Sequence, residues 1–253
     1  MNSKSSKTHS VQYNSPGSIP IKLQVFLTPT SPNHSPTTTP IQLQKFIEDQ
    51  YRTVLQEELK INRNPTLPDS RIHVALYFLR GNIKGLSVFD RLMMQHLGPR
   101  VNLVPVLAKA DGMTRVECGE VKRVVLDDIE MSGIKIFKFD EGVGGEEEGH
   151  RDGDGEEVEY VRYLQSCLPF AVIGANNIEE REDGGEGKKK LVRRNKFGDI
   201  DIEDERICDF KLLKNILFGS HLQEFKDITI HNLYEQFRAQ ELSKQATTTT
   251  ITE

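Results

Sequence analysis

The sequence predicts an α/β sandwich with a mainly parallel sheet. Strand-like and helix-like stretches alternate from residue 21 to residue 174. Two of the strands, "IHVALYFL" and "VNLVPVL", are almost unbroken apolar runs, as strands buried on both faces are. Beyond residue 207 the spacing turns helical.

Residues 1–20 are rich in Ser, Lys and Asn and contain no acid, and they are predicted to form a disordered tail. They have no apolar h-region, so they do not read as a secretory signal. Residues 21–27 alternate and form a strand. "TPTSPNHSPTTTP", residues 28–40, is irregular. In residues 41–59, Phe46, Ile47, Tyr51, Val54, Leu55 and Leu59 recur at helical spacing, and Pro65 and Pro68 stop any continuation. A strand over 72–79, a short helix over 86–97 and a second buried strand over 101–107 follow. Residues 114–129 form a helix, with Thr114 as N-cap and Glu117 in the capping-box position. The alternation of residues 134–139 predicts a strand nearer an edge.

Residues 140–159, "DEGVGGEEEGHRDGDGEEVE", read as a flexible acidic insertion. The alternative, a calcium loop at "DGDG", lacks the full pattern of such loops. Residues 161–168 form a turn or two of helix, 170–174 a buried strand, and 177–204 a hairpin with "EDGGEGKKK" at its tip. Residues 207–242 are helical in two pieces broken near Gly219 and Ser220. The organisation expected is a tail over 1–20, one domain over 21–242 and a disordered tail over 243–253.

The composition narrows the function. A net charge of −5 argues against a nucleic-acid binder. Cys118, Cys167 and Cys208 are far apart in sequence and read as reduced thiols. No apolar run reaches the ~20 residues that cross a bilayer.

In open α/β sheets ligands bind beyond the carboxyl ends of strands. One predicted strand ends in Ala108-Lys109-Ala110-Asp111, another in Gly174-Ala175-Asn176. A carboxylate at Asp111 would accept two parallel hydrogen bonds from guanine N1–H and N2–H₂, a pair adenine does not offer. A lysine at 109 would lay its stem over the base, and Gly174 would leave room for close backbone approach. On these residues alone, an ordinary polar loop after a strand stays open and is favoured.

The surroundings change that weighting. "VNLVPVLAKADGMT" and "PFAVIGANN" resemble the guanine-recognition segments of septins, the filament-forming GTP-binding proteins. The likeness continues in "IEDQYRTVLQEELKINRNPTLPDSRIHVALYFL", "GLSVFDRLMMQHL" and "CDFKLLKNILFGSHLQEFKDITIHNLYEQFRAQEL", across roughly residues 21–240. It implies a P-loop-GTPase-like three-layer sandwich with septin-type C-terminal helices, incomplete at the N-terminus. It also implies that Lys109 and Asp111 read guanine, Thr114 opens the next helix beside the site, Gly174 meets the base through its backbone, and Arg193 packs on the base from the other side. An arginine plane suits that last task. Where septins carry a tryptophan four residues after that arginine, this chain has Phe197, preceded by Lys196. Where they often carry a histidine reaching a neighbouring subunit's nucleotide, it has Lys84.

No G-x-x-x-x-G-K-[ST] phosphate loop is present; Gly187-Lys188 runs into Lys189 without the earlier glycine. The septin Asp-Thr-Pro-Gly corresponds to Leu27-Thr28-Pro29-Thr30, so the metal-binding carboxylate and the phosphate-facing glycine are both replaced. The absent first strand would lie between strands 21–27 and 72–79. Those two then pair directly, or the first detaches, or a partner fills the gap.

The function expected is a non-catalytic septin-like cytoskeletal subunit. It would partner other septin subunits in the cytoplasm, at a septin ring or division site. Binding of GTP or GDP would be weak, magnesium is not expected, and nucleic acid is not a partner. The alternatives are a GTP-binding septin that hydrolyses slowly and whose P-loop lies upstream, and a decayed fragment. The basic cluster at 188–190 with Arg193 and Arg194 reads as a peripheral contact for anionic lipid or, preferably, as a solvated hairpin tip offset by acids.

Overall fold

Along the chain run β1 (Lys7–Tyr13), β2 (Ile21–Leu27), α1 (Pro40–Glu58), β3 (Val74–Arg80), α2 (Val88–Leu97), β4 (Asn102–Ala108), α3 (Arg115–Met131) and α4 (Gly155–Cys167). After them come β5 (Phe170–Val172), β6 (Asn177–Glu180), β7 (Lys189–Asn195), β8 (Gly198–Asp201), α5 (Phe210–Asn215), α6 (Leu222–Ile228) and α7 (Glu235–Thr250). This is a computed structural model, and it describes residues 7–13, 21–28, 39–64, 66, 68–139, 155–180, 189–196 and 198–250. Two units separate: Met1–Ile72 with Lys226–Glu253, and His73–Phe225.

In the second unit β3, β4 and β5 form a parallel sheet in that order. The parallel sheet is the one the apolar runs predict, but burial on both faces holds for β4 and not for β3, an outer strand that is mostly half-buried and leaves Phe78 59% exposed. Every β4 residue but the last is buried. Ser87 caps α2 through the Asp90 N–H. Thr114 caps α3 in a complete capping box with Glu117, as predicted. Gly85 sits at φ 80° in the turn before α2, where a Cβ would lie 2.1 Å from Asp128 Oδ2. That oxygen accepts the Leu86 N–H at 2.7 Å, so the turn both needs glycine's freedom and leaves no room for a side chain.

Residues 134–139 do not form the predicted edge strand. The Phe137 N–H donates to the Leu103 carbonyl at 2.8 Å, but no ladder follows. Their aromatic rings are committed to a core cluster instead. Phe137 packs on Phe225 at 4.4 Å between centroids and on Phe139 at 5.0 Å. Phe139 meets the His221 ring edge-on at 5.1 Å. The helix over 161–168 is longer than predicted: α4 starts at Gly155, inside the expected insertion. Val161 and Leu164, three residues apart on the helix, are both buried, and it is such packing that makes a short helix stable. Residues 140–154, with the "DGDG" motif, lie outside the described residues.

A polar latch closes the open side of β5. The Asp209 N–H donates to the Ala171 carbonyl at 2.8 Å. Asp209 Oδ2 accepts from the Ala171 N–H at 2.8 Å and from Lys122 Nζ at 2.8 Å. Lys122 also donates to the Cys167 carbonyl at 2.8 Å. Asp209 therefore does for one step what a further strand would do. The predicted hairpin over 177–204 is a three-stranded antiparallel sheet, β6-β7-β8; residues 181–188 at its tip lie outside the described residues.

In the first unit, β1 replaces part of the predicted N-terminal tail. It pairs antiparallel with β2, and the register sets Tyr13 opposite Ile21, Val11 opposite Leu23 and His9 opposite Val25. The alternation of "KTHSVQY" matches that of "IKLQVFL", a cross-strand logic that composition alone conceals. Of the three arrangements open to the Ile21 strand, direct pairing with the strand over 72–79 is not the one found: among the described residues β2 pairs with β1 in a two-stranded sheet. Helix α1 buries Ile47, Tyr51 and Leu55. Tyr51 packs on Tyr234 at 5.8 Å and Phe237 at 5.5 Å. Helix α7 continues to Thr250, through residues expected to be disordered. Extending a formed helix costs far less than starting one, and Ser243 Oγ donates to the Ala239 carbonyl at 2.8 Å in the added turns. The break near Gly219 is observed: a π-type turn, Ile216–Ser220, separates α5 from α6.

His221 makes the fold sensitive to pH. Burial holds its pKa below the ordinary 6.5, and Ser220 Oγ lies 2.7 Å from Nδ1. The unfolded chain takes up a proton below about pH 6.5 while the folded one does not. Stability should therefore be complete above that pH and fall as pH drops toward the depressed pKa, levelling off below it. Urea midpoints from pH 7.5 to 5 should show the fall, and His221→Gln should flatten it.

Candidate functional site

The predicted site residues lie where β4, β5 and β7 end or pass, all within the second unit. Beyond Ala108 the chain turns at Lys109, at φ 59° and ψ 45°. This left-handed conformation is uncommon outside glycine, and such residues cluster at functional sites. A short 3₁₀ turn, Ala110–Gly112, follows. Its hydrogen bonds run from Gly112 N–H to the Lys109 carbonyl at 3.1 Å and from Met113 N–H to the Ala110 carbonyl at 3.2 Å. Ala110 is buried and anchors the turn, which leaves Lys109 exposed and Asp111 half-buried.

Arg193, on β7, comes to this turn. Its Nε donates to Asp111 Oδ2 at 3.3 Å; the two side chains are 35% and 16% exposed. Of the five predicted site residues, these are the two joined by a hydrogen bond. Gly174 lies beyond β5, with open space where a Cβ would stand. Thr114 spends its side chain on its own helix: Oγ1 accepts the Glu117 N–H at 3.3 Å and donates to Glu117 Oε2 at 2.9 Å. The Thr114 N–H and hydroxyl together hold the Glu117 carboxyl below its ordinary range. Thr114 acts here as the cap of α3.

Asn176 did not emerge from the sequence as a site residue. Its N–H donates to the Val192 carbonyl at 3.1 Å. Its Oδ1 accepts from the Arg194 N–H at 2.8 Å, and its Nδ2 donates to the Arg194 carbonyl at 2.9 Å. The signal was there only as an Asn in "GANN"; nothing marks which strand such an amide will meet.

Lys84 is exposed in the turn that Gly85 closes, and its N–H donates to Asn82 Oδ1 at 3.0 Å. Lys190, Arg193 and Arg194 of the basic cluster are ion-paired. Lys190 meets Asp201 at 3.4 Å, Arg193 meets Asp111, and Arg194 meets Glu179 and Asp199. Those neighbours favour the solvated-hairpin reading. Lys188 lies outside the described residues, as do Pro29, Thr30 and Phe197. Leu27, in the first unit, ends β2 and is exposed; it carries no oxygen for a metal. Among the described residues no three His, Cys, Asp or Glu side chains are grouped to hold a metal, and no helix is long and apolar enough to cross a membrane. The three cysteines are unbridged. Burial pushes all three thiols above the ordinary value, which favours the protonated form.

A family model described as Septin matches residues 5–250. The chain is 39% identical over 203 residues to Septin CDC11 of Candida albicans, covering 78% of this chain and 49% of that one. It spans about half the length of that curated relative, and about a third of the next two. Its fold aligns with the crystal structure of Cdc11 from Saccharomyces cerevisiae at a TM-score of 0.58 and 25% identity, covering 92% of this chain and 89% of the other. It also aligns with the septin GTPase domain from Chlamydomonas reinhardtii at 0.69 and 22% identity, covering 92% and 80%.

Proposed function

Because this chain belongs to the septin family, we propose that it is a septin-type subunit that keeps guanine recognition and does not hydrolyse GTP. The observation that carries this is the Asp111 carboxylate on a rigid turn at the end of β4, with a guanidinium already at its oxygen. The arginine's N–H stands where a base N–H would stand. On guanine binding the base donors take over Asp111, and Arg193 moves onto the ring face. Lys109 covers the base with its stem, and the Gly174 backbone approaches the base oxygen.

Phosphate and metal are held poorly. Phosphoryl transfer depends on positioning and on neutralising charge. These 253 residues contain no G-x-x-x-x-G-K-[ST] loop, and Leu27 stands at the metal-binding carboxylate of the family motif. Affinity for GTP or GDP is therefore weak, and magnesium adds nothing to it.

The wider role is assembly. The chain joins other septin subunits through the surfaces around the base site and through its terminal helices, in rings or filaments at a division site. Charge reversal along α7 that left co-purification with intact septins unchanged would remove those helices from the interface.

The nucleotide reading is tested on the purified chain. GMP should bind weakly and AMP should not, mant-GTP should show no submicromolar affinity, and GTP turnover should stay at background with or without magnesium. Magnesium-dependent turnover that Asp111→Asn abolishes would overturn it.

A further inference from the structure

We infer that Asn176 is the positioning residue of the base site: its amide fixes the part of β7 that carries Arg193 and so keeps the guanidinium at the base corner, on Asp111 in the free chain and within reach of the ring face when a base is bound. The inference rests on the reading of Asp111 as a base acceptor.

The geometry is specific. Asn176 makes three hydrogen bonds to the two residues that flank Arg193, one to Val192 and two to Arg194. In the ladder of β6 and β7, Asn177 already stands opposite Val192. Upstream of that pair the chain turns away toward β5, and no backbone remains to continue the ladder. The Asn176 side chain supplies both a donor and an acceptor, as a peptide unit would, and carries the pairing to Arg194.

The other end of this loop is also tied, since the Ile173 N–H donates to Cys208 Sγ at 3.3 Å. Strand β5 in turn pairs with β4, Val172 opposite Ala108, three residues before Asp111. Carboxylate and guanidinium are therefore held by one continuous hydrogen-bonded frame, and Asn176 is its link to β7. Arg194 cannot take over, because its own side chain is engaged by Glu179 and Asp199. Asn176 and Arg194 are both exposed. Without the amide, water can satisfy the Arg194 backbone, so the fold should survive while Arg193 loses its alignment.

The test uses the full chain and nitrogen-15 NMR. The Arg193 Nε–H signal, identified by its loss in Arg193→Lys, and the Gly174 amide are followed during titration with GMP and with AMP. Asn176→Ala should weaken GMP about three- to tenfold and should shift the Arg193 Nε–H signal in the ligand-free protein. Asn176→Asp, which keeps the acceptor and loses the donor, should fall between. In an Arg193→Ala background Asn176→Ala should change GMP affinity no further. An unchanged affinity in Asn176→Ala, or an equal further loss in the Arg193→Ala background, would overturn the inference and leave the base reading standing. A wild-type Gly174 amide unmoved by GMP, or moved equally by AMP, would sink the base reading and this inference with it.

Discussion

Asp111→Asn should turn the base preference from guanine to xanthine. A carboxylate accepts from both N1–H and N2–H₂ of guanine. An asparagine accepts from N1–H through Oδ1 but presents an NH₂ to the second position, where guanine also has an NH₂. Xanthine carries a carbonyl there and accepts the new donor. A matched bidentate pair is worth about 1–3 kcal/mol of discrimination, or roughly five- to 150-fold in the ratio of affinities. GMP and XMP titrations of wild type and variant measure it. The substitution also takes the charge from the half-buried Arg193 pair, but the amide oxygen still accepts the Arg193 Nε–H, so the loss is about 1 kcal/mol. The melting temperature should hardly move while the preference inverts. A variant that still prefers GMP would show that Asp111 does not face the base.

Asp209→Ala should cause the largest loss of stability. One carboxylate oxygen serves both the Ala171 N–H and Lys122 Nζ, and the side chains of Lys122 and Asp209 are 19% and 20% exposed. Truncation leaves an ammonium short of its counter-charge and a backbone N–H on a buried strand without a partner. Each such loss costs about 1–3 kcal/mol, the Lys122 one at the low end because its ammonium keeps the Cys167 carbonyl, so about 2–4 kcal/mol is expected in all. For a chain of this size that lowers Tm by roughly 5–15 °C. Asp209→Asn keeps an acceptor for Ala171 and should lose less than half as much. Thermal unfolding followed by circular dichroism separates the two, and equal losses would show that the strand-edge bond is not what matters.

The parts of the fold legible in the sequence were those where one kind of residue repeats. The apolar runs of β3 and β4 needed no partner to be recognised, and Thr114 with Glu117 is a purely local motif. The β1 strand was not legible, because its seven residues are individually ambiguous and only the facing register with β2 selects them. Residues 134–139 misled for the opposite reason: their alternation is real, but two phenylalanines satisfy it by joining an aromatic cluster. In the site, Asp111 and Arg193 could be named from their motifs. Their direct pairing could not, since 82 positions separate them. Asn176 and Asp209 were invisible as working groups because their partners lie 18 and 38 positions away.

The separation of sheets has a kinetic consequence. The β1–β2 pairing joins neighbours in the chain, and so do the pairings within β6, β7 and β8. Hairpins of that kind close in about 1–10 μs. The parallel sheet must instead bring β4 to β5 across α3, the acidic stretch and α4, and such non-local closure slows folding. The two hairpin sheets can therefore be in place while β5, with the Asp209 latch that seals it, is still searching for β4. The base corner is then among the last features of the chain to become native.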